Sequence, residues 1–277
     1  MYRFVTHSTW GIIALVCLCL GGCDFVNPAS PQTPWALPPE LSVEEYALKG
    51  MPEVEPLTFV PIQSTQAEIL SKRQGERSRR FSDRPLPTEP TISLGGDKLT
   101  AIADYTYAHR TDKGQEVSIP VSCSVKVSRN EEAIYTIQLG AAGATPNLWG
   151  LWAYDDHWVL EVAHATEKGL FSNAIGSDVL GEVIQDGISL NKQHGYQETF
   201  GFQLMRGKPF YFFKKQGWFG ISYDHREIPL GYAQIPHYGC CSASALNPRS
   251  AESMVAFFAR RGTVRPEWHY VEIGVFE

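Results

Sequence analysis

His237-Tyr238-Gly239-Cys240-Cys241-Ser242 packs an imidazole, a phenol and two thiols into six consecutive residues. Four chemistries compete for that stretch. The first is a structural turn, with or without a Cys240–Cys241 disulfide. The second is a ligand-binding corner in which His237, Tyr238 and Trp218 offer rings and polar tips to a small molecule, a glycan or a protein. The third is metal ligation by His237 with Cys240 or Cys241, but a tetrahedral site needs four ligands and the loop supplies two or three. No metal is therefore assigned, and no cofactor. The fourth is a cysteine nucleophile with His237 or His269 as its base, which needs a lowered thiol pKa. Only a helix start near Pro248 hints at that, so catalytic residues stay unassigned.

Three thiols remain once the N-terminal cysteines are set aside: Cys123, Cys240 and Cys241. Cys123 shares a strand face with Val121, Val125 and Val127, which makes it a buried small hydrophobe. That leaves Cys240 and Cys241 to pair. Neighbouring cysteines are closer than disulfide Cα atoms usually sit, so such a bond strains its backbone. Other constellations are weaker. Asp155-Asp156 and Asp224-His225 fit hairpin tips. His157 and His164 are an odd number of residues apart, so on one strand they point to opposite faces. The chain carries no phosphate loop, no Gly-x-Ser-x-Gly and no His-Glu-x-x-His. A net charge of -6 argues against a nucleic-acid partner, which would want a clustered basic surface. The one basic cluster, Lys72 to Arg84, reads as solvated linker charge.

At the other end, Arg3 precedes an apolar run from Gly11 to Leu20 that closes on Leu20-Gly21-Gly22-Cys23. The run is too short for a membrane span, which needs roughly 20 apolar residues, and has the three regions of a secretory signal. With a cysteine directly after Leu-Gly-Gly, it resembles the lipobox of bacterial lipoproteins. The resemblance implies cleavage before Cys23, acylation of that thiol, and a chain anchored by lipid on the extracytoplasmic face of the cell membrane. One acyl chain binds only marginally, so stable anchoring implies more than one.

Between this address and any site lie the elements that must position it. Residues 1–22 read as the signal, 23–90 as a Pro-rich tether, and 91–277 as a β-rich globular domain. More than half of the 18 prolines lie between Pro28 and Pro90, where they favour an extended spacer. Two short helices interrupt it, one capped at Ser42-Val43-Glu44-Glu45 and one over 65–74. From Thr91 onward, apolar alternation predicts strands over 99–107, 117–127, 133–139, 149–154, 157–163, 200–205, 209–213, 218–223 and 268–276. Short connections force antiparallel pairing. One late helix comes next, with Asn247 as cap, Pro248 in its first turn, Ala251, Met254, Val255 and Phe258 on one face, and Gly262 as its stop. The fold class is mainly β, antiparallel hairpins and meander in one domain with a single helix.

Phe212-Phe213-Lys214-Lys215-Gln216-Gly217-Trp218-Phe219-Gly220-Ile221, with Glu227-Ile228-Pro229 and Tyr232 after it, resembles a single WG-type bacterial β repeat. The resemblance describes a hairpin and implies no activity. Phe210 to Phe213 cannot all face one core. Either both faces of that sheet are covered or an aromatic patch is exposed. The expected function is a lipid-anchored extracytoplasmic binding or interaction module that uses the aromatic meander and the loop 237–242. The alternative is an envelope hydrolase or thiol enzyme using Cys240 or Cys241 with His237.

Overall fold

The computed structural model describes residues 36–52, 88–112, 114–142, 146–165, 179–239, 247–262 and 264–275. Cys23, Cys240, Cys241 and the expected helix over 65–74 lie outside them. Within them the chain is strand after strand, in four antiparallel four-stranded sheets. The first strand in the chain, β1 (Ser42–Leu48), has no partner among its neighbours in sequence. Sheet I holds β2 (Thr91–Leu94), β3 (Asp97–Asp112), β4 (Gln115–Arg129) and β5 (Glu132–Gly140). Sheet II holds β6 (Leu148–Tyr154), β7 (His157–Ala165), β8 (Val179–Gln185) and β9 (Ile188–Ser189). Sheet III holds β10 (Glu198–Met205), β11 (Lys208–Lys215), β12 (Trp218–Tyr223) and β13 (Arg226–Tyr232). Sheet IV holds β14 (Arg249–Ala251), β15 (Met254–Arg261) and β16 (Glu267–Gly274), and β1 pairs with β16 as its outer strand.

Hairpin turns set this meander. Asn130-Glu131, Asp186-Gly187, Arg206-Gly207, Gln216-Gly217 and Asp224-His225 all take positive φ at both central residues. That is the turn whose twist matches the strands it joins. The expected antiparallel β body is therefore what forms, with one helix among the described residues, and that helix lies elsewhere. It is α1 (Leu190–His194), five residues capped by the Ser189 hydroxyl, which accepts from the Lys192 amide at 3.3 Å.

The stretch expected to be the late helix is instead β14 and β15. Ala251, Met254, Val255 and Phe258 do recur at helical spacing. The unbroken apolar run Met254 to Ala259 satisfies a different demand, because the strand is covered on both faces. Val255, Phe257 and Ala259 point to one core cluster, and Met254, Ala256 and Phe258 to another. The helix expected at Ser42-Glu45 is likewise a strand, because pairing with β16 from Ser42↔Gly274 to Leu48↔Trp268 satisfies its backbone. The segment 23–90 thus contains a strand of the last sheet. Glu45 fastens it: Oε1 accepts from the Tyr232 hydroxyl at 2.7 Å, and Arg261 (3.0 Å) and His269 Nδ1 (2.9 Å) lie against the same oxygen.

The sheets stack face on face in chain order. Leu99, Val125 and Val127 of sheet I meet Leu148, Leu160 and Ile184 of sheet II. Val159 and Val183 on the other side of sheet II meet Tyr211 and Phe213 of sheet III. Phe210 and Phe212 then meet Phe257, Val271 and Ile273 of sheet IV. Strand alternation splits the four consecutive aromatics between two cores. All four are buried, so the covered-face alternative holds and β11 presents no aromatic patch. Replacing Phe212, wholly buried between sheets III and IV, by Ala should cost ~3–5 kcal/mol. Urea denaturation would measure this, with the midpoint shifted down and the slope unchanged.

Candidate functional site

The residues singled out by their chemistry do come together in part, around an acid, Glu161, in the expected strand 157–163. β7 runs Trp158-Val159-Leu160-Glu161-Val162-Ala163, and Glu161 is the one charge in that buried run, 2% exposed. Opposite it, β10 bulges between Phe200 and Gln203, with Gly201 at φ +65°. The bulge turns two successive amides toward sheet II. Gly201 N–H donates to Glu161 Oε1 at 2.9 Å and Phe202 N–H to Oε2 at 2.7 Å. The Tyr238 hydroxyl donates to Oε1 at 2.6 Å. Burial pushes the Glu161 carboxyl up, partly offset by Tyr238, the two amides and the positive field of His237. Tyr238 is pushed well above its ordinary range by burial and by Glu161.

His237 lies beside this latch. Its Nδ1 is 2.7 Å from the Ile235 carbonyl and its Nε2 2.8 Å from Glu198 Oε1, so both ring nitrogens face oxygen. With an ionised Glu198, both nitrogens donate. The ring lies flat on Phe200, centroids 3.5 Å apart and planes within 1°, a geometry suited to a cationic ring over an aromatic face. Glu198 also accepts from the Gly181 amide at 3.1 Å. Burial raises its carboxyl, but His237, the amide and Lys214 outweigh that, and its pKa ends below the ordinary value.

Space at this joint is as exacting as charge. A Cβ on Gly181 would lie 2.3 Å from the Thr199 carbonyl and 2.7 Å from the Tyr238 hydroxyl, so only glycine admits the tyrosine. Thr199 Oγ1 accepts from the Val183 amide at 2.8 Å and donates to Asn191 at 2.6 Å.

His237 and Tyr238 are therefore committed inside the stack, to Glu198 and Glu161. Trp218, at the start of β12, is partly exposed and makes no ring contact with either. Cys123 is 1% exposed and unpaired, and burial pushes its thiol up to about 11, away from nucleophilic use. His157 pairs with Asp186 and Asp224 with Lys208, as hairpin chemistry. Among the described residues, no group of three or more His, Cys, Asp or Glu side chains is arranged to hold a metal ion, and no helix is long and apolar enough to cross a membrane. The signal that could have found Glu161 and Glu198 is a lone acid within a buried run, since a buried carboxylate demands donors.

One surface stands apart from the stack. β3 and β4 outrun the rest of sheet I: the outer edge of β4 is last bonded at Val121, whose carbonyl accepts from the Ala141 amide at 3.3 Å, and the last backbone bond at β3's other edge is Ala101 N–H to Pro90 O at 3.0 Å. Beyond these points the two strands continue as a ribbon paired only to each other among the described residues. Thr106 to Thr111 and Gly114 to Ser118 are all exposed, Tyr107 at 52%, and Val121 near its base is 42% exposed. An isolated two-stranded ribbon is only marginally stable in water.

Compared with known proteins, the chain matches no protein-family model, and no curated protein is similar to it.

The buried joint sets two expected outcomes. Glu161→Gln turns one acceptor oxygen into an amide that faces a backbone N–H. It should cost ~1–3 kcal/mol and speed hydrogen exchange at Gly201 and Phe202. Glu198, held below 4.5, stabilises the fold fully above about pH 4.5 and loses that contribution as pH falls through its folded pKa. Glu161 has the opposite sign, fully favourable below about pH 4.5 and fading as pH rises through its raised value. Glu198→Gln should therefore flatten the acid limb of stability against pH, read from urea midpoints; an unchanged limb would show that the His237 pair contributes nothing.

Proposed function

We propose that the protein is a lipid-anchored interaction module on the extracytoplasmic face of a cell membrane, which makes its contacts through the β3–β4 ribbon. The observation that carries this reading is that the ribbon projects beyond the other strands of its sheet with apolar side chains exposed and, among the described residues, no layer covering it. An unpaired strand edge on a projecting element is a ready template for another chain. The anchor rests on the Leu20-Gly21-Gly22-Cys23 pattern, and the prolines between residues 28 and 90 supply reach away from a lipid surface.

The aromatic meander does not serve as the contact surface in this reading, because its rings are spent between sheets. A thiol-enzyme role for Cys240 or Cys241 draws no support from His237, whose two nitrogens are already engaged. The partner expected at a projecting ribbon is protein, recognised along a backbone edge, rather than a small molecule held in a cavity.

The anchor is tested by Cys23→Ser. The variant should move from the membrane fraction to the soluble fraction, and intact mass of the parent chain should carry a diacylglycerol absent from the variant. Equal membrane retention of the two would remove the anchor from the reading.

A further inference from the structure

The ribbon's two edges differ, and the difference decides what can lie against it. In β4, Gln115, Val117 and Ile119 pair across to Asp112, Arg110 and Ala108, which leaves Glu116, Ser118 and Pro120 with their backbone groups toward the outer edge. Pro120 has no N–H, so that edge is broken as a template. In β3 the sense of the outer edge is set by Ala101, whose N–H points outward to Pro90. By alternation Ala103, Tyr105, Tyr107, His109 and Thr111 present N–H and C=O outward. Among the described residues, this edge has no proline, no bulge of its own and no covering strand, so of the usual guards of an exposed edge only charged side chains remain.

Charge selects the occupant. Asp104 and Arg110 are exposed, lie on the same face of β3 six residues apart, and make no ion pair among the described residues. They are symmetric about Tyr107. A second β3 running antiparallel and centred on Tyr107 sets Tyr107 opposite its own copy as a hydrogen-bonded pair. Asp104 then faces Arg110 of the partner, and Arg110 its Asp104. Those charged residues fall at non-hydrogen-bonded positions, where side chains approach closest. Shifting the register by two places Asp104 opposite Ala108 in one direction and Asp112 in the other, and both ion pairs are lost. From this geometry we infer that the β3 edge pairs with the β3 edge of a second copy of the chain, joining two sheets I into one continuous sheet across a two-fold axis at Tyr107. The contact is isologous and closes at two copies, so it does not propagate into a fibre. It rests on the ribbon being the contact surface, and it is independent of the lipid anchor.

The test uses the purified full chain. Sedimentation velocity should show a concentration-dependent dimer. Asp104→Arg replaces two attractions by two repulsions and should weaken dimerisation by about tenfold, roughly 1.4 kcal/mol; Arg110→Asp should do the same. The double variant Asp104→Arg/Arg110→Asp restores opposite charges and should return most of the affinity. Tyr107→Cys should form a disulfide-linked dimer on oxidation beyond that of the parent chain, since hydrogen-bonded pairs lie about 5.5 Å apart. Thr111→Cys should not, since its copies would be roughly 27 Å apart at ~3.4 Å per residue.

A chain that stays monomeric at all concentrations, or a dimer indifferent to the charge reversals, overturns the pairing. Tyr107→Ser separates the two ideas. If the wild type is a monomer and this variant melts at the parent temperature, self-pairing alone falls and a different protein is the occupant. If the wild type is a monomer and the variant melts lower, the ring is packed within its own chain, the ribbon is not a contact surface and the functional reading falls with it.

Discussion

Stacking four sheets buries polar backbone at each joint, and the whole structure depends on those groups finding partners. The joint between sheets II and III is the most demanding, because a bulge in β10 frees two amides inside an apolar layer. Glu161 accepts both through separate oxygens. An unpaired buried amide costs ~1–3 kcal/mol, so the bulge and the acid exist for one another. The other joints use amide side chains for the same task. Asn147, wholly buried, donates to the carbonyls of Gly140 and Ala163 at 2.9 and 2.7 Å and so bridges sheets I and II. Asn247 clamps Phe258 with two bonds of 2.7 Å at the entry to sheet IV. Sheets II and III thus each meet the preceding sheet with a polar clasp set in an apolar face, and Asn247 clasps the chain onto β15 within sheet IV.

The clasp at Glu161 explains why the most reactive-looking loop is spent on structure. The chain leaves sheet III at Tyr232, and Tyr238 sends its hydroxyl back to β7 of sheet II. Tyr238 itself sits at φ 55°, an uncommon conformation for a non-glycine residue, and the Trp149 ring lies 4.5 Å from its own. His237 comes with it, stacked on Phe200 and bonded to Glu198. The loop acts as a strap across two sheets, and Gly181 supplies the gap through which it closes.

Much of this is legible from residues alone, and the failures share a cause. Strands bounded by Asp-Gly, Arg-Gly and Gln-Gly turns are legible because turn chemistry is local. The dilemma at Phe210 to Phe213 is legible as a dilemma; only the presence of sheets on both sides of β11 resolves it. The region 249–261 misleads because an apolar run covered on both faces holds every spacing, the helical one included. Ser42-Glu45 misleads because its capping-box pattern is satisfied equally by a strand once β16, more than 200 residues away, is alongside. Glu161 and Glu198 stay hidden for the same reason. Their donors come from a bulge and a loop that proximity in sequence does not announce. Where partners are distant, pattern gives the type of residue and not its use.

The ribbon can project from such a tightly clasped stack because its root is part of the first clasp. The Tyr105 hydroxyl accepts from the Asn147 amide at 3.0 Å, and the Asn147 side chain bonds Gly140, the residue at which β5 leaves β4. Cys123, opposite Tyr105 in the register, closes the apolar layer beneath. Up to this level, backbone and side chains are fixed by sheet II. One residue further, from Thr106, exposure becomes continuous and β4 takes in its extra residue. A bulge at that height increases local twist, at the level where the free length of the ribbon begins. Stability is concentrated below that level and accessible edge above it. An unguarded edge carried on a rigid root costs little ordering entropy when a strand adds to it, which favours recognition by backbone pairing over collapse of the ribbon onto its own sheet.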